Sequence, residues 1–241
     1  MVSPALVERA AALKMSTDQL EVLDHLGTFR ITTSEAVGQL LDAKPEAVKS
    51  FLQRLHAAGY IDSADLYGRT KYHFLTVVGL RLVGLPDRKR GSLNPNPLAE
   101  AFGILRFCLA DPKARLKLRT DEFRERFPTL APRGMRASNY YYDSADEPGR
   151  IGFIYVDRGI SVSKVAGKVR GMIIGPRFEH EPWRSSVLDR QLFAVGIATP
   201  TAEKASQLQR DLTETWPAVT FRFEVVPELL LIRDRRRHAA R

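Results

Sequence analysis

Between Leu85 and Leu98 the chain passes through Pro86-Asp87-Arg88-Lys89-Arg90-Gly91-Ser92-Leu93-Asn94-Pro95-Asn96-Pro97, twelve residues that hold three prolines, a glycine and a basic cluster. Proline locks φ and removes a backbone donor, and glycine gives up more freedom than any other residue when ordered, so this stretch suits neither a helix interior nor a central strand. It reads as a linker, 86–97, between two pieces that fold by different rules. Upstream, residues 1–85 place apolar side chains at helical spacing around one alternating hairpin; downstream, from Leu98, strand and helix patterns take turns. The expected fold class is mixed α/β: a helical first domain at 1–85, an α/β domain at 98–233 and a basic tail at 234–241.

Composition narrows the partners. The chain is 44% hydrophobic and 27% charged, with no apolar run near the roughly 20 residues of a membrane span and no signal-peptide core at its start. A cytoplasmic protein without a membrane partner is expected. Thirty-seven Lys and Arg against 28 Asp and Glu leave a net charge of +9, which favours a polyanionic partner; nucleic acid, anionic lipid and acidic protein all answer to that field. The single cysteine, Cys108, excludes an intramolecular disulfide and a Cys-based zinc site, and its apolar surroundings from Phe102 to Leu109 predict burial. His25, His56, His73, His180 and His238 lack metal-ligand spacing. Neither a metal nor a cofactor is expected.

In the first domain, Leu20, Val22, Leu23 and Leu26 form an apolar stripe that Gly27 is expected to end, with a short strand at Phe29-Arg30-Ile31. Thr32-Thr33-Ser34 offers hydroxyl caps for a second helix running to about Leu41. After the turn Asp42-Ala43-Lys44, Pro45 opens a third helix, 45–58; proline suits a first helical position because its missing N–H would have had no partner there. Val48, Phe51, Leu52 and Leu55 fall on one side of this helix. Glu46, Lys49, Ser50, Gln53 and Arg54 fall on the other, with Lys44 ahead of them. Those side chains suit a DNA groove: Lys and Arg pair with phosphate or guanine, Gln with adenine, and Ser with either. The helix N-terminus adds a phosphate site. Alternation at Tyr60-Ile61 and at Lys71-Tyr72-His73-Phe74-Leu75 predicts a hairpin joined through Asp65 to Thr70, with Arg69 and Lys71 near its tip, and Thr76 caps a further helix through Leu80 to Val83.

This order of elements, the passage Leu52-Gln53-Arg54-Leu55-His56-Ala57-Ala58-Gly59-Tyr60-Ile61 and the aromatic strand running into Leu75-Thr76-Val77-Val78-Gly79 resemble bacterial winged-helix regulators. The resemblance implies a winged helix-turn-helix that contacts double-stranded DNA through Lys44, Glu46, Lys49, Ser50, Gln53 and Arg54, and through Arg69 and Lys71 on the wing. One winged helix buries too little surface for tight specific binding, so a homodimer on a pseudo-palindrome is expected. Winged helices also serve as protein–protein modules, which keeps a protein-binding adaptor open.

In the second domain, helices are expected at Leu98 to Leu109 and Thr120 to Phe127, and strands at Ser138 to Asp143, Ile151 to Asp157, Leu192 to Thr199 and Val219 to Val226, with Leu229 to Ile232 a possible fifth. Val162, Val165, Val169 and Ile173, then Ala205, Leu208, Leu212 and Trp216, recur at helical spacing between strands. The run Ser138-Asn139-Tyr140-Tyr141-Tyr142 reads either as base-stacking or as half core, and the Arg-rich end from Arg233 to Arg241 either as a phosphate grip or as a disordered, solvated charge run.

The winged helix followed by this α/β pattern, together with Ile154-Tyr155-Val156-Asp157-Arg158-Gly159 and a helix, resembles the plasmid replication-relaxation family. The resemblance implies a restriction-endonuclease-like domain whose pattern is a Pro-Asp pair on one strand, Glu-Val-Asp-Arg-Gly on the next, and a helix bearing lysine. Lys164 or Lys168 stands for that lysine, whereas Ser138-Asn139 occupies the Pro-Asp position and Tyr155 the glutamate position. A metal-dependent nuclease needs carboxylates converging on Mg²⁺. Asp143 and Asp157, on neighbouring strands, are the pair left, and Asp111-Pro112-Lys113 has nuclease-like spacing in a turn. Asp143, Tyr155, Asp157, Arg158, Lys164 and Lys168 are therefore expected to form a vestigial, non-catalytic site whose cations favour phosphate. The expected function is a DNA-binding protein of plasmid replication or mobilisation, with replication or relaxosome proteins as partners, or a transcriptional regulator. A divalent-metal DNA nuclease is the alternative.

Overall fold

The computed structural model describes residues 15–86, 91–130, 139–175 and 181–239. The linker's basic cluster, the first residue of the Ser138-Asn139 pair, His180 and the last two residues of the tail lie outside the described residues, as do the side chains of residues 181 and 234–239. The chain folds as two compact units, Met1–Phe102 and Gly103–Arg241. It is a mixed α/β chain, mainly helical in the first unit and built on a sheet in the second.

Among its described residues the first unit holds α1 (Thr17–Phe29), α2 (Ser34–Leu41), α3 (Pro45–Ala57), the hairpin of β1 (Ile61–Tyr67) and β2 (Thr70–Leu75), and then α4 (Val77–Leu82). Side-chain caps fix three helix starts. Ser16 accepts from the Gln19 amide, Thr33 from Ala36 and Thr76 from Gly79, each satisfying an amide that a helix leaves open. The apolar stripes of α1 and α3 meet over Leu23, Leu26, Val37, Leu52 and Leu55, which form the centre of this unit's core. Gly27 does not end α1. The helix continues to Phe29 and stops at Arg30, whose φ of 71° turns the chain. The strand expected at Phe29-Arg30-Ile31 is therefore absent and reduces to one bridge, Thr32 to His73. The hairpin is longer than alternation predicted. Tyr67 pairs with Thr70, leaving Gly68-Arg69 as a two-residue loop that uses glycine's tolerance of φ +52°.

The second unit begins within helix α5 (Pro95–Leu109), which starts inside the stretch read as linker because prolines are compatible with a helix's first turn. Then come β3 (Arg115–Lys117), α6 (Thr120–Arg126), β4 (Tyr140–Asp143), β5 (Arg150–Val156), α7 (Val162–Ile173), β6 (Phe193–Thr199), α8 (Ala202–Thr215), β7 (Thr220–Val225) and α9 (Glu228–Ala239). The five strands run in order β3-β4-β5-β6-β7, antiparallel from β3 to β5 and parallel from β5 to β7. Each parallel pair is joined through a helix, as a parallel connection requires.

The two faces of this sheet differ. On one, Tyr140, Ile151, Tyr155, Val195 and Ile197 pack with Val165 and Val169 of α7 and Leu208 and Leu212 of α8. On the other, Gly152 and Gly196 leave room for the Tyr141 and Phe107 rings, which would collide with a Cβ at those positions. Phe107 belongs to α5, and Cys108 beside it is buried, its thiol pushed up to about 12 by burial. Two expectations change here. Leu229 to Ile232 is helical within α9, not a fifth strand, because Leu229 and Ile232 repeat at helical spacing on one buried side. The same helix carries the backbone of the Arg-rich end to Ala239, where disorder was expected.

Candidate nucleic-acid interface

Helix α3 presents the exposed row that its sequence implies. Val48, Phe51, Leu52 and Leu55 are buried, while Lys44, Glu46, Lys49, Ser50, Gln53 and Arg54 are all exposed. Lys49 and Gln53 engage no partner among the described residues, whereas Arg54 donates to the Ser50 hydroxyl at 3.1 Å and lies 5.8 Å from the Phe51 ring centre. Unlike α1, α2 and α4, this helix has no side chain capping its start: Lys44 occupies the cap position and Pro45 follows. Its first amides stay open to an outside acceptor, at the positive end of the helix dipole and beside the Lys44 ammonium.

The β1–β2 hairpin places Arg69 at its two-residue tip and Lys71 next to it, both exposed. Lys71 stands across the hairpin from Asp65, an opposite-charge pairing that favours this register. A cavity of about 360 Å³ opens beside this hairpin, with Thr33, Ser34, Glu35, Arg69, Lys71 and His73 among its walls. Burial and the nearby charges of His56 and Lys71 hold the His73 imidazole down to about 4, so it is neutral at pH 7. His25 sits deeper, its Nε2 3.2 Å from the Thr32 hydroxyl, and burial lowers it also to about 4.

The residues expected to form one vestigial site in the second unit fall into two places. Asp143 pairs with Arg150 in the β4–β5 register, at the start of β5, whereas Asp157 follows the last residue of that strand. Seven residues at roughly 3.3 Å each put the two carboxylates on the order of 20 Å apart, so the Asp143–Asp157 pairing is corrected: they cannot share a metal ion. Their sheet faces differ too. Asp143 alternates with Tyr141 toward α5 and is held by Arg222 Nε at 2.9 Å, by the Ala145 amide at 3.1 Å and by the Tyr141 hydroxyl. Arg222 also holds Asp146, which keeps that carboxyl below its ordinary range.

Asp157 is fully buried and fully engaged. One oxygen accepts from the Gly159 and Ile160 amides at 2.9 and 3.1 Å; the other accepts from the Thr199 hydroxyl at 3.1 Å and lies 2.5 Å from Lys204 Nζ. Lys204 also donates to the Ile160 carbonyl, and Arg233 to the Gly159 carbonyl. This arrangement ties the loop after β5 to the end of β6, the first turn of α8 and α9. Gly159 has φ +80° with the Arg233 guanidinium against it, so both the aspartate and the glycine of Val156-Asp157-Arg158-Gly159 serve the loop's shape. Arg158 between them points out and is exposed.

Asn139 does adjoin the end of β5, donating from Nδ2 to the Ile154 carbonyl, so it shares that end of the sheet with Tyr155 and Asp157. Tyr155 packs into the core, Lys164 and Lys168 lie exposed on α7, and Asp111 closes a turn by accepting from the Ala114 amide. Tyr140 and Tyr141 are buried, so they are core residues and offer no ring to a base. Thr199, Lys204, Arg222 and Arg233 were not singled out from the sequence. Their partners are 42 to 79 positions away, and no local pattern links them. Among the described residues there is no group of three or more His, Cys, Asp or Glu able to hold a metal ion, and no helix long and apolar enough to cross a membrane.

No protein-family model matches the chain, and no curated protein matches it. Among solved structures, it is similar to a MarR family protein of Mycobacterium tuberculosis in complex with salicylic acid, at 18% identity and a TM-score of 0.28 over 54% of this chain and 87% of that one.

Proposed function

We propose that this protein binds double-stranded DNA, reading it with the outer face of α3 and touching its backbone with the wing. One observation carries the reading: α3 buries one complete side and leaves Lys49, Ser50, Gln53 and Arg54 on the other, behind a start that no side chain caps. The residue types on that face can pair both with phosphates and with base edges. The protein acts as a homodimer on a pseudo-palindrome, as a regulator of transcription or in plasmid replication and mobilisation alongside replication or relaxosome proteins. Its second unit is a non-catalytic scaffold of restriction-endonuclease-like descent. The succession of a strand ending near Asn139, the next strand leading into Val156-Asp157-Arg158-Gly159, and a lysine-bearing helix supports that descent. The separation of Asp143 from Asp157, each neutralised by a cation, supports loss of cleavage.

The test is duplex binding by the full chain and by Lys49→Glu/Arg54→Glu. Both side chains are exposed, so the variant is expected to keep its thermal stability and lose most of its duplex affinity. With about six phosphates contacted, log K of the wild type should fall against log salt with a slope near −5. Unchanged affinity removes α3 from the interface, and a flat salt response favours the protein-binding adaptor. Nicking of supercoiled DNA in Mg²⁺ or Mn²⁺ by the wild type would restore the nuclease reading.

A further inference from the structure

Helix α7 and the loop before it carry charge of one sign only. Segment 158–175 holds Arg158, Lys164, Lys168 and Arg170 and no Asp or Glu. All four cations are exposed, and none takes part in the ion pairs formed among the described residues. Helix α8, packed on the same side of the sheet, gives the comparison. Its exposed positions mix Glu203, Arg210, Asp211 and Glu214, the pattern of a helix whose outer side meets only water.

The exposed side of α7 has a second peculiarity. Gly167 and Gly171 sit in the helix interior one turn apart, where glycine is less stable than alanine. Neither has a positive φ, and a Cβ on either would meet nothing within 4 Å, so no packing among the described residues requires them. They leave the helix backbone bare between Lys164, Lys168 and Arg170. The start of α7 is also without a side-chain cap, because the Ser161 hydroxyl lies 3.2 Å from that of Ser163.

We infer that the outer face of α7 is a second DNA-contact surface, gripping the phosphodiester backbone of a duplex without reading its sequence. Cations without an ion-pair partner among the described residues supply the attraction, and the two glycines let a phosphate strand approach the helix closely. A base-stacking role needs aromatic rings, and α7 has none. A membrane surface needs a row of bulky apolar residues, and here only Ile174, at the C-terminal end, is exposed. The inference rests on the DNA-binding reading and adds a site to it.

The test uses the full chain and a labelled duplex of random sequence, so that the sequence-independent contribution is what is read. Lys164→Glu/Lys168→Glu/Arg170→Glu should keep its circular dichroism and melting temperature, bind on the order of tenfold more weakly, and show a salt slope shallower by roughly 2 to 3. The same triple change made on Lys49→Glu/Arg54→Glu should remove the sequence-independent binding left in that background. Gly167→Leu/Gly171→Leu keeps every charge but fills the space, and should also bind more weakly while melting no lower. If the triple variant binds like the wild type, α7 is not a DNA surface and the α3 reading stands. If the wild type binds no duplex at all, both fall. Loss of binding to vesicles containing phosphatidylserine, with duplex binding intact, would assign α7 to lipid and overturn the inference.

Discussion

Helix α3 and the loop after β5 use charge in opposite ways. On α3, Lys44 and Lys49 stand in solvent with no ion-pair partner among the described residues. After β5, Asp157 is buried with both oxygens occupied, and Lys204 is spent on neutralising it. A group kept free can bind something from outside. A group satisfied from within instead holds its neighbours in place, because a buried charge is tolerated only when paired and hydrogen-bonded. The segment most suggestive of chemistry in the sequence, Val156-Asp157-Arg158-Gly159, is therefore structural at its aspartate and glycine. The plain-looking face of α3 is the one left open.

The sharpest way to break this contrast is to remove the buried carboxylate. Asp157→Ala leaves the Lys204 ammonium, two amides and the Thr199 hydroxyl without their acceptor, and the loss of one partner from such a buried pair costs about 3 to 5 kcal/mol. Urea unfolding followed by the fluorescence of Trp183 and Trp216, both in the second unit, would read it. A loss below about 1 kcal/mol would mean that Asp157 holds nothing together and is free for another role. Asp157→Asn should retain part of the stability, since an amide oxygen still accepts from the Gly159 and Ile160 amides.

The pattern of the sequence was enough for most helices and strands, because each buries a stripe with its own period: Val48, Phe51, Leu52 and Leu55 on α3, and Ala205, Leu208 and Leu212 on α8. It failed where one residue's backbone decides the path. Arg30, in the left-handed region, ends α1 and leaves only Thr32 to pair with His73, which no alternation of side chains could signal. Strand neighbourhood suggested that Asp143 and Asp157 were close, but being on adjacent strands says nothing about which end each occupies. That follows from register, and the antiparallel β4–β5 pairing sets Asp143 beside Arg150. The exposed row of α3 was legible because the buried stripe defines it by exclusion. The partners of Asp157 were not, because Thr199 and Lys204 reach it only through the parallel pairing of β6 with β5 and the helix that follows β6.

A second contrast concerns acid. In the first unit, burial holds His25 and His73 down to about 4, while an unfolded imidazole titrates near 6.5. Between those values the unfolded chain binds more protons than the folded one. The stabilising contribution is therefore complete above about pH 6.5 and is lost progressively as pH falls toward 4. By pH 5 the loss should reach roughly 2 kcal/mol for each imidazole. The first unit should then unfold in less urea at pH 5 than at pH 7, and His25→Phe should shrink the difference. An unchanged midpoint would show that these imidazoles accept protons without opening the fold.

The smallest effect is expected where the comparison began. Lys49→Ala and Gln53→Ala remove side chains that touch no described partner on the exposed side of α3, and alanine is at least as good a helix former as either. Nothing is left buried and unpaired, and no cavity opens, so each change should alter unfolding free energy by less than about 0.5 kcal/mol. Duplex affinity should still fall for both, and if Gln53 contacts adenine, its loss should narrow the difference between preferred and random sequence by about 1 to 3 kcal/mol. Stability and binding then separate at these positions, whereas at Asp157 the change falls on stability. A destabilisation above about 1 kcal/mol at Lys49 or Gln53 would mean that this side of α3 is packed against something, and it would take away the one feature on which the DNA-binding reading stands.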